Sequence, residues 1–265
     1  VSDLSAAPGP DRPTSPAIHA SVDLHCHILP GIDDGARDLA DAVAMGCEAQ
    51  ADGIEAICAT PHIRHDHDVR IPELAQRRAA LGEALAAAGC RTPILRGGEV
   101  ASSAVAGLDA AELRAVALGD GGRWILLEPV PGPLDDRLDA AVADLSAHGY
   151  RALIAHPERH LTADLVARLS ALVDRGCLIQ ATAAYLLDPA TRDGMLALAR
   201  AGVLHVLASD AHSARSGRPV ATAAALSALG DVTPTAEHLE WIARTAPRAI
   251  VAGAAVTPPF APLTR

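Results

Sequence analysis

The sequence predicts an α/β protein, a (β/α)7 TIM-like barrel in a single domain, and three observations lead there. Seven short apolar stretches alternate with stretches of helical spacing. The strand stretches are apolar throughout, as in a parallel sheet covered on both faces. No glycine-rich dinucleotide fingerprint is present, so a barrel is favoured over an open doubly wound sheet.

The first strand is Val22-Asp23-Leu24-His25-Cys26-His27, broken by Pro30, Gly31 and Gly35. Arg37 to Asp52 carries Leu39, Val43, Met45 and Cys47 at helical spacing, and Gly53 is its stop. The second strand, 54–59, runs into Thr60-Pro61-His62; a loop with His65, Asp66, His67 and Asp68 leads to a helix over 72–88. The third strand, 93–96, ends at Gly97-Gly98-Glu99, and a short helix follows at 110–116. The fourth, 123–128, is stopped by Pro129 and followed by a helix over 135–147. The fifth, 151–156, ends in Pro157-Glu158-Arg159 before a helix over 163–175. The sixth is 177–182, with a helix over 189–201, and the seventh is 204–210, ending in Ala211-His212. Helices over 219–229 and 235–252 close the domain, which spans 20–252. Residues 1–19 read as a disordered N-terminal arm and 253–265 as a Pro-rich C-terminal tail.

Composition narrows the function classes. Half of the 265 residues are apolar, enough for a sizeable core, but only 2% are aromatic. Every basic residue is arginine, and the net charge of −10 argues against a general nucleic-acid surface. Five cysteines without paired spacing do not describe a disulfide framework, so a reduced, cytoplasmic setting is expected. Residues 1–20 lack the apolar run of a secretory signal, and other apolar runs are too short to span a bilayer. A soluble chain without direct membrane insertion is expected.

Chemistry collects at the strand ends. His25 and His27 alternate along a strand, so their side chains share a side and can share a metal ion. Alone, such a pair more often packs. Six of the seven strand ends, however, carry metal-capable residues: His25 and His27, His62, Glu99, Glu128, His156, and Asp210 with His212; Asp34 lies in the first loop. In barrels the site is built at that edge. Nitrogen and carboxylate donors without a thiolate cluster suit Mn²⁺, Fe or Zn²⁺. Nine candidates exceed one ion's needs, so two or three ions sharing carboxylates are expected. Such a cluster acidifies water and clamps a phosphoryl group. Arg159 and Arg218 are the candidate phosphate binders. Asp23 is read as support for the first ligands, and His65 and His67 as a solvated loop. Cys58 to Arg64 and Cys90 to Arg96 satisfy Cys-x5-Arg but lack the glycines that wrap a phosphate, and both are read as chance.

These motifs occur in order: His25-Cys26-His27 with Asp33-Asp34-Gly35, Thr60-Pro61-His62, Glu99, Ile125-Leu126-Leu127-Glu128, His156-Pro157-Glu158-Arg159, Ser209-Asp210-Ala211-His212 and Gly217-Arg218-Pro219. Together they resemble the polymerase and histidinol phosphatase (PHP) superfamily, specifically its bacterial CpsB/CapC/YwqE-type tyrosine-protein phosphatases of capsule and exopolysaccharide systems. The resemblance implies the PHP fold, a distorted (β/α)7 barrel, and a trinuclear, usually manganese-dependent centre. By motif, His25, His27, Glu99 and Asp210 would hold one ion, Glu99, Glu128 and His156 a second, and Asp34, His62 and His212 a third. Arg159 and Arg218 would grip the phosphate while a metal-bridging hydroxide attacks phosphorus. The implied substrate is phosphotyrosine on the tail of a cognate bacterial tyrosine kinase, and the family allows a homo-oligomer. A small-molecule phosphoesterase, such as a histidinol-phosphate phosphatase, and a non-catalytic phospho-tail binder are the alternatives. His160 in place of an aromatic, Ser213 in place of Asn, and the N-terminal arm depart from the family pattern.

Overall fold

A computed structural model describes residues 19–160, 162–230 and 232–263, so the expected N-terminal arm, His19 excepted, lies outside the described residues. The apolar stretches form nine short strands: β1 (Val22–Cys26), β2 (Ala56–Ala59), β3 (His62–Ile63), β4 (Ile94–Leu95), β5 (Glu99–Ala101), β6 (Trp124–Glu128), β7 (Arg151–Ile154), β8 (Leu178–Thr182) and β9 (Val206–Ala208). Every pairing is parallel. The strands form two sheets, β1-β2-β4 and β3-β5-β6-β7-β8-β9.

The expected distorted seven-stranded barrel is seen as a curled parallel sheet in two segments. The second and third expected strands are each followed, past their expected ends, by a further short strand, β3 and β5. Pro61 has no N–H to give a ladder, and it separates β2 from β3. Gly97 and Gly98 separate β4 from β5 where the chain passes tightly. A Cβ at Gly97 would lie 2.9 Å from Thr60 Cγ2, and one at Gly98 would lie 2.8 Å from Val116 Cβ. Beyond these breaks β3 and β5 pair with each other, in register His62 to Glu99. Where the strands end, the segments meet again. Cys26 bridges Ala211, and Asp210 N–H donates to the His25 carbonyl at 2.8 Å.

The helices are α1 (Leu39–Ala51), α2 (Leu74–Ala87), α3 (Ala110–Val116), α4 (Asp136–Ala147), α5 (Leu165–Asp174), α6 (Ala183–Leu187), α7 (Arg192–Arg200), α8 (Thr222–Leu229) and α9 (Ala246–Val251). Asp38, Asp109 and Asp135 cap α1, α3 and α4 by accepting from first-turn N–H groups. The expected single helix over 235–252 is instead a 3₁₀ turn, a π-helical turn at Trp241–Thr245, and α9. Pro247 causes the irregularity, because it cannot donate to the Ala243 carbonyl four residues back. That carbonyl accepts from Ser21 N–H instead, at 2.8 Å, and ties the helix to the start of β1.

Alternation along the strands fills two separate cores. Trp124 and Leu126 of β6 join Leu24, Leu153 and Leu178 on one face, while Ile125 and Leu127 pack with Ile57, Ile154 and the helices on the other. Both faces are dry, as the uniformly apolar strand sequences require. The segment after α9 folds back over the end where strands begin. Trp124 Nε1 donates to the Ala254 carbonyl at 2.9 Å, and Phe260 stacks on His205 and His238.

The cysteine expectation needs correcting. Cys47 of α1 and Cys90 after α2 form a disulfide, with Cα atoms 5.4 Å apart and a sequence separation of 43. No spacing in the sequence signals that pair, since only the packing of α1 beside α2 brings it together. Among the described residues, no helix is long and apolar enough to cross a membrane.

Candidate metal centre

β1 delivers His25 and His27 to the carboxyl edge of the sheet, and the partners of their Nδ1 atoms set their protonation. His25 Nδ1 lies 2.9 Å from the Gln180 side-chain carbonyl, and His27 Nδ1 lies 2.9 Å from Asp33 Oδ2. Those oxygens only accept, so each Nδ1 carries the hydrogen and each neutral ring presents an Nε2 lone pair. The two Nε2 atoms face each other at 3.2 Å. Glu99 and Asp210 oxygens lie 3.2–3.5 Å from them. Four electron-rich groups converge where only a cation can satisfy them. Protons respond to the same demand. Burial pulls the His27 imidazolium down, but Asp210, Asp33 and Glu99 raise its pKa well above the usual range. His25 is raised likewise, against burial, by Glu99 and Asp210.

The cluster extends outward through Glu99. His156 Nε2 lies 2.6 Å from Glu99 Oε1, and His62 Nδ1 lies 2.9 Å from Glu99 Oε2. Glu128 Oε2 is 3.8 Å from His62 Nδ1. At the mouth, Asp34 Oδ1 lies 3.3 Å from His62 Nε2 and 3.4 Å from His212 Nε2. All nine expected residues thus come together in four overlapping sets, each with ligand atoms within 4.8 Å of one another: His27/Asp34/His62/His212, His25/His27/Asp210, His25/Glu99/His156 and His62/Glu99/Glu128. The sets differ from the motif-based partition in detail, because His27 reaches the outer group and His25 reaches that of His156. The donor chemistry fits divalent ions bound by nitrogen and oxygen. Buried His62 Nδ1 and Glu99 Oε2, though 2.9 Å apart, are not aligned for a hydrogen bond, which leaves both available to a cation.

Local backbone and electrostatics aim these groups. His156 and Asp210 have φ of +33° and +50°, a left-handed conformation unfavourable for both residue types, and each turns a strand-end side chain inward. Gly35 allows the first loop to lie against His27, where any Cβ would strike the His27 carbonyl and Cβ. Burial would raise Glu99, yet His25 and His156 hold its carboxyl well below the usual range. Burial and then the Glu99 charge push Glu128 upward. Burial draws His156 down to about 4 against Glu99, whereas Asp34 and Glu99 overcome burial to lift His62 to about 9.

Both expected phosphate binders face Asp210. Arg159 Nη2 donates to Asp210 Oδ2 at 2.9 Å; Arg218 Nε donates to the Asp210 carbonyl at 2.9 Å, with its Nη2 2.8 Å from His212 Nε2. Arg218, His212, Asp34 and Arg37 border a cavity of about 320 Å³ that opens to solvent beside the cluster.

Several contributors escaped sequence reasoning. Gln180, Asp33 and Arg64, the last 3.1 Å from Glu128, hold side chains of the cluster. Asp41 of α1 accepts from Ser213 Oγ at 2.9 Å and from Ala214 N–H, anchoring the loop that carries Arg218. A glutamine within an otherwise apolar strand was the one legible signal. Asp23 supports the centre differently from expectation: it accepts from Ser209 N–H, Ser209 Oγ and His25 N–H, tying β1 to β9 through backbone. His65 is exposed, while His67 stacks on His62 with ring centroids 4.8 Å apart. His160 is buried and meets the Gly132 carbonyl at 2.5 Å. The cysteine alternatives fall away. Cys58 is fully buried, and burial followed by Asp23 pushes its thiol far above the reactive range, while Cys90 is in the disulfide.

A curled parallel α/β sheet with a histidine–carboxylate cluster at its carboxyl edge defines the class of protein. The sequence matches the family model described as capsular polysaccharide synthesis, CpsB/CapC, over residues 21–231, and the chain belongs to this family. It is 34% identical over 202 residues to the tyrosine-protein phosphatase YwqE of Bacillus subtilis (strain 168), covering 74% of this chain and 78% of that protein. A putative tyrosine-protein phosphatase CapC of Staphylococcus aureus is 26% identical, with coverages of 72% and 77%. Among solved structures, the chain resembles one described with YwqE from Bacillus subtilis and CpsB from Streptococcus pneumoniae as unique metal-dependent tyrosine phosphatases. That match has a TM-score of 0.76 at 26% identity and covers 92% of this chain and all of the other. A dihydropyrimidinase from Brevibacillus agri NCHU1002 shares the fold alone, with a TM-score of 0.53 at 12% identity over 93% of this chain and 74% of that one.

Proposed function

We propose that this chain is a metal-dependent phosphomonoester hydrolase that dephosphorylates phosphotyrosine on a bacterial tyrosine kinase acting in capsule or exopolysaccharide synthesis. The observation that carries the reading is the pair of Nε2 lone pairs of His25 and His27, 3.2 Å apart and ringed by carboxylate oxygens beside two arginines. Nine ligands, His25, His27, Asp34, His62, Glu99, Glu128, His156, Asp210 and His212, would hold two or three Mn²⁺ ions, with Fe or Zn²⁺ compatible with the same donors. Bound there, such ions would supply Lewis acidity and an acidified water.

The chain's own residues do the rest. Gln180 and Asp33 hold the Nδ1 hydrogens of His25 and His27 so that both Nε2 atoms stay available. Arg159 Nη2 and Arg218 Nη2 donate to the Asp210 carboxylate at 2.9 and 3.3 Å; with that carboxylate holding a cation, these N–H groups would be free to grip the substrate phosphoryl oxygens. The same guanidinium charges stabilise the transition state. Burial of the ligand cluster keeps bulk water from screening these interactions. The fold supporting it is read as a distorted (β/α)7 barrel over 20–252, and the chain as cytoplasmic.

The test is turnover of a phosphotyrosyl peptide by chelator-stripped protein, with and without Mn²⁺, beside a Glu128→Ala variant and an alkylated sample. Activity restored by Mn²⁺, insensitive to alkylation and absent from the variant is expected. Turnover of histidinol phosphate but not of the peptide would move the substrate to small phosphate esters. Activity persisting without metal would overturn the reading.

A further inference from the structure

We infer that Arg64 is a third guanidinium for the substrate phosphoryl group, aimed by Asp66; the inference rests on the phosphatase reading above. Arg64 follows β3 by one residue, and its side chain is 26% exposed, at the rim of the cluster. Its Nε and Nη2 donate to Asp66 Oδ1 and Oδ2 at 2.7 and 2.9 Å. That two-point clamp fixes the guanidinium plane and leaves Nη1 pointing into the centre. Nη1 lies 3.1 Å from Glu128 Oε1 and 3.3 Å from Glu128 Oε2.

Arg159 reaches the same atom from elsewhere, with its Nη1 3.7 Å from Glu128 Oε1. Two guanidiniums carried by different loops therefore converge on a single carboxylate oxygen. An anionic oxygen between two arginines is the environment a phosphoryl oxygen seeks. Glu128 belongs to the set with His62 and Glu99, so its carboxylate would be engaged by a cation held there. Arg64 Nη1 and Arg159 Nη1 would then be free to donate to a phosphoryl oxygen. Asp66 keeps Arg64 from following Glu128, because two of its three nitrogens stay engaged.

A purely supporting role for Arg64 toward Glu128 makes a different prediction, which separates the two. Inorganic phosphate binding to the Mn²⁺-loaded protein is measured by calorimetry, Mn²⁺ binding by electron paramagnetic resonance, and KM and kcat on a phosphotyrosyl peptide. For Arg64→Ala, phosphate affinity is expected to fall and KM to rise roughly 10- to 100-fold, as for loss of a charge-assisted hydrogen bond, with Mn²⁺ affinity unchanged. Arg64→Lys recovers part of the affinity, and Asp66→Asn loses less than Arg64→Ala. Unchanged phosphate affinity in Arg64→Ala, or a loss that tracks weaker Mn²⁺ binding, would overturn the inference. Phosphate binding needs no turnover, so wild-type protein that binds phosphate through Arg64 yet hydrolyses no ester would sink the phosphatase reading alone.

Discussion

At the carboxyl end of β7 the chain turns left-handed at His156 and buries an imidazole against Glu99, 2.6 Å away. At the amino end of the same strand, Arg151 lies over the Trp124 ring, 5.9 Å from its centroid, with its side chain in solvent. The contrast holds around the sheet. The carboxyl edge gathers mutually repelling lone pairs, strained backbone and shifted protonation. The amino edge is closed by Trp124, Phe260 and the returning C-terminal segment, whose contacts are packing and ordinary hydrogen bonds. One end therefore stores unfavourable electrostatics that a ligand relieves, and the other supplies stability that permits it.

The sharpest way to break this contrast is to remove the cations or a central ligand. Glu99→Ala, which takes a carboxylate from two of the four ligand sets, is expected to lower kcat/KM by roughly a thousandfold or more. Chelation should do the same reversibly, and Mn²⁺ should raise the melting temperature of wild type but not of the variant. Peptide turnover and thermal scans with and without metal read both effects.

Arg218→Ala leaves the ligand sets intact but removes a phosphate grip, with an expected loss in kcat/KM of about a hundredfold. Mn²⁺ stoichiometry should stay at the wild-type value, and a parallel loss of metal would count against the assigned role. Next in size is the orienting layer. Gln180→Ala or Asp33→Ala frees a ring to take the other tautomer and should weaken Mn²⁺ binding roughly 10- to 100-fold, measured by competition with a chelator.

Protonation sharpens the comparison further. His62 is lifted from an ordinary 6.5 to about 9, so its stabilising contribution to the metal-free chain is complete below pH 6.5 and is lost as pH rises through 9. His25 and His27 are raised in the same direction. Metal must displace these protons, so Mn²⁺ affinity should tighten between pH 6.5 and 9 while metal-free stability declines. Calorimetry and urea melts across that window give the two slopes, and an affinity that weakened with pH would contradict the assignment. The smallest effect belongs to the amino edge. Phe260→Ala should cost about 1–2 kcal/mol of stability in urea melts and leave kcat/KM with Mn²⁺ unchanged.

Much of the centre was legible because strand ends in a parallel α/β array share one edge, so His62, Glu99, Glu128 and His156 could be grouped without coordinates. Gln180, Asp41 and Arg64 were not assigned, because each acts through a contact that no short spacing encodes: Gln180 meets His25 across 155 residues, Asp41 meets Ser213 across 172 and Arg64 meets Glu128 across 64. The breaks after the second and third expected strands were visible, in Pro61 and in Gly97-Gly98, but that further strands follow and which sheet they join depends on their neighbours.

The sequence by itself determined the alternation of strands and helices, the two dry faces of the sheet, and the edge where nitrogen and oxygen donors gather. Those follow from local propensity and from the period of the side chains, which are properties of nearby residues. Only the tertiary structure decided that Gln180 reaches Nδ1 of His25, that Cys47 meets Cys90, and that Arg64 and Arg159 share one oxygen of Glu128. These depend on distances of a few ångströms between segments far apart in the chain, and close packing alone sets them.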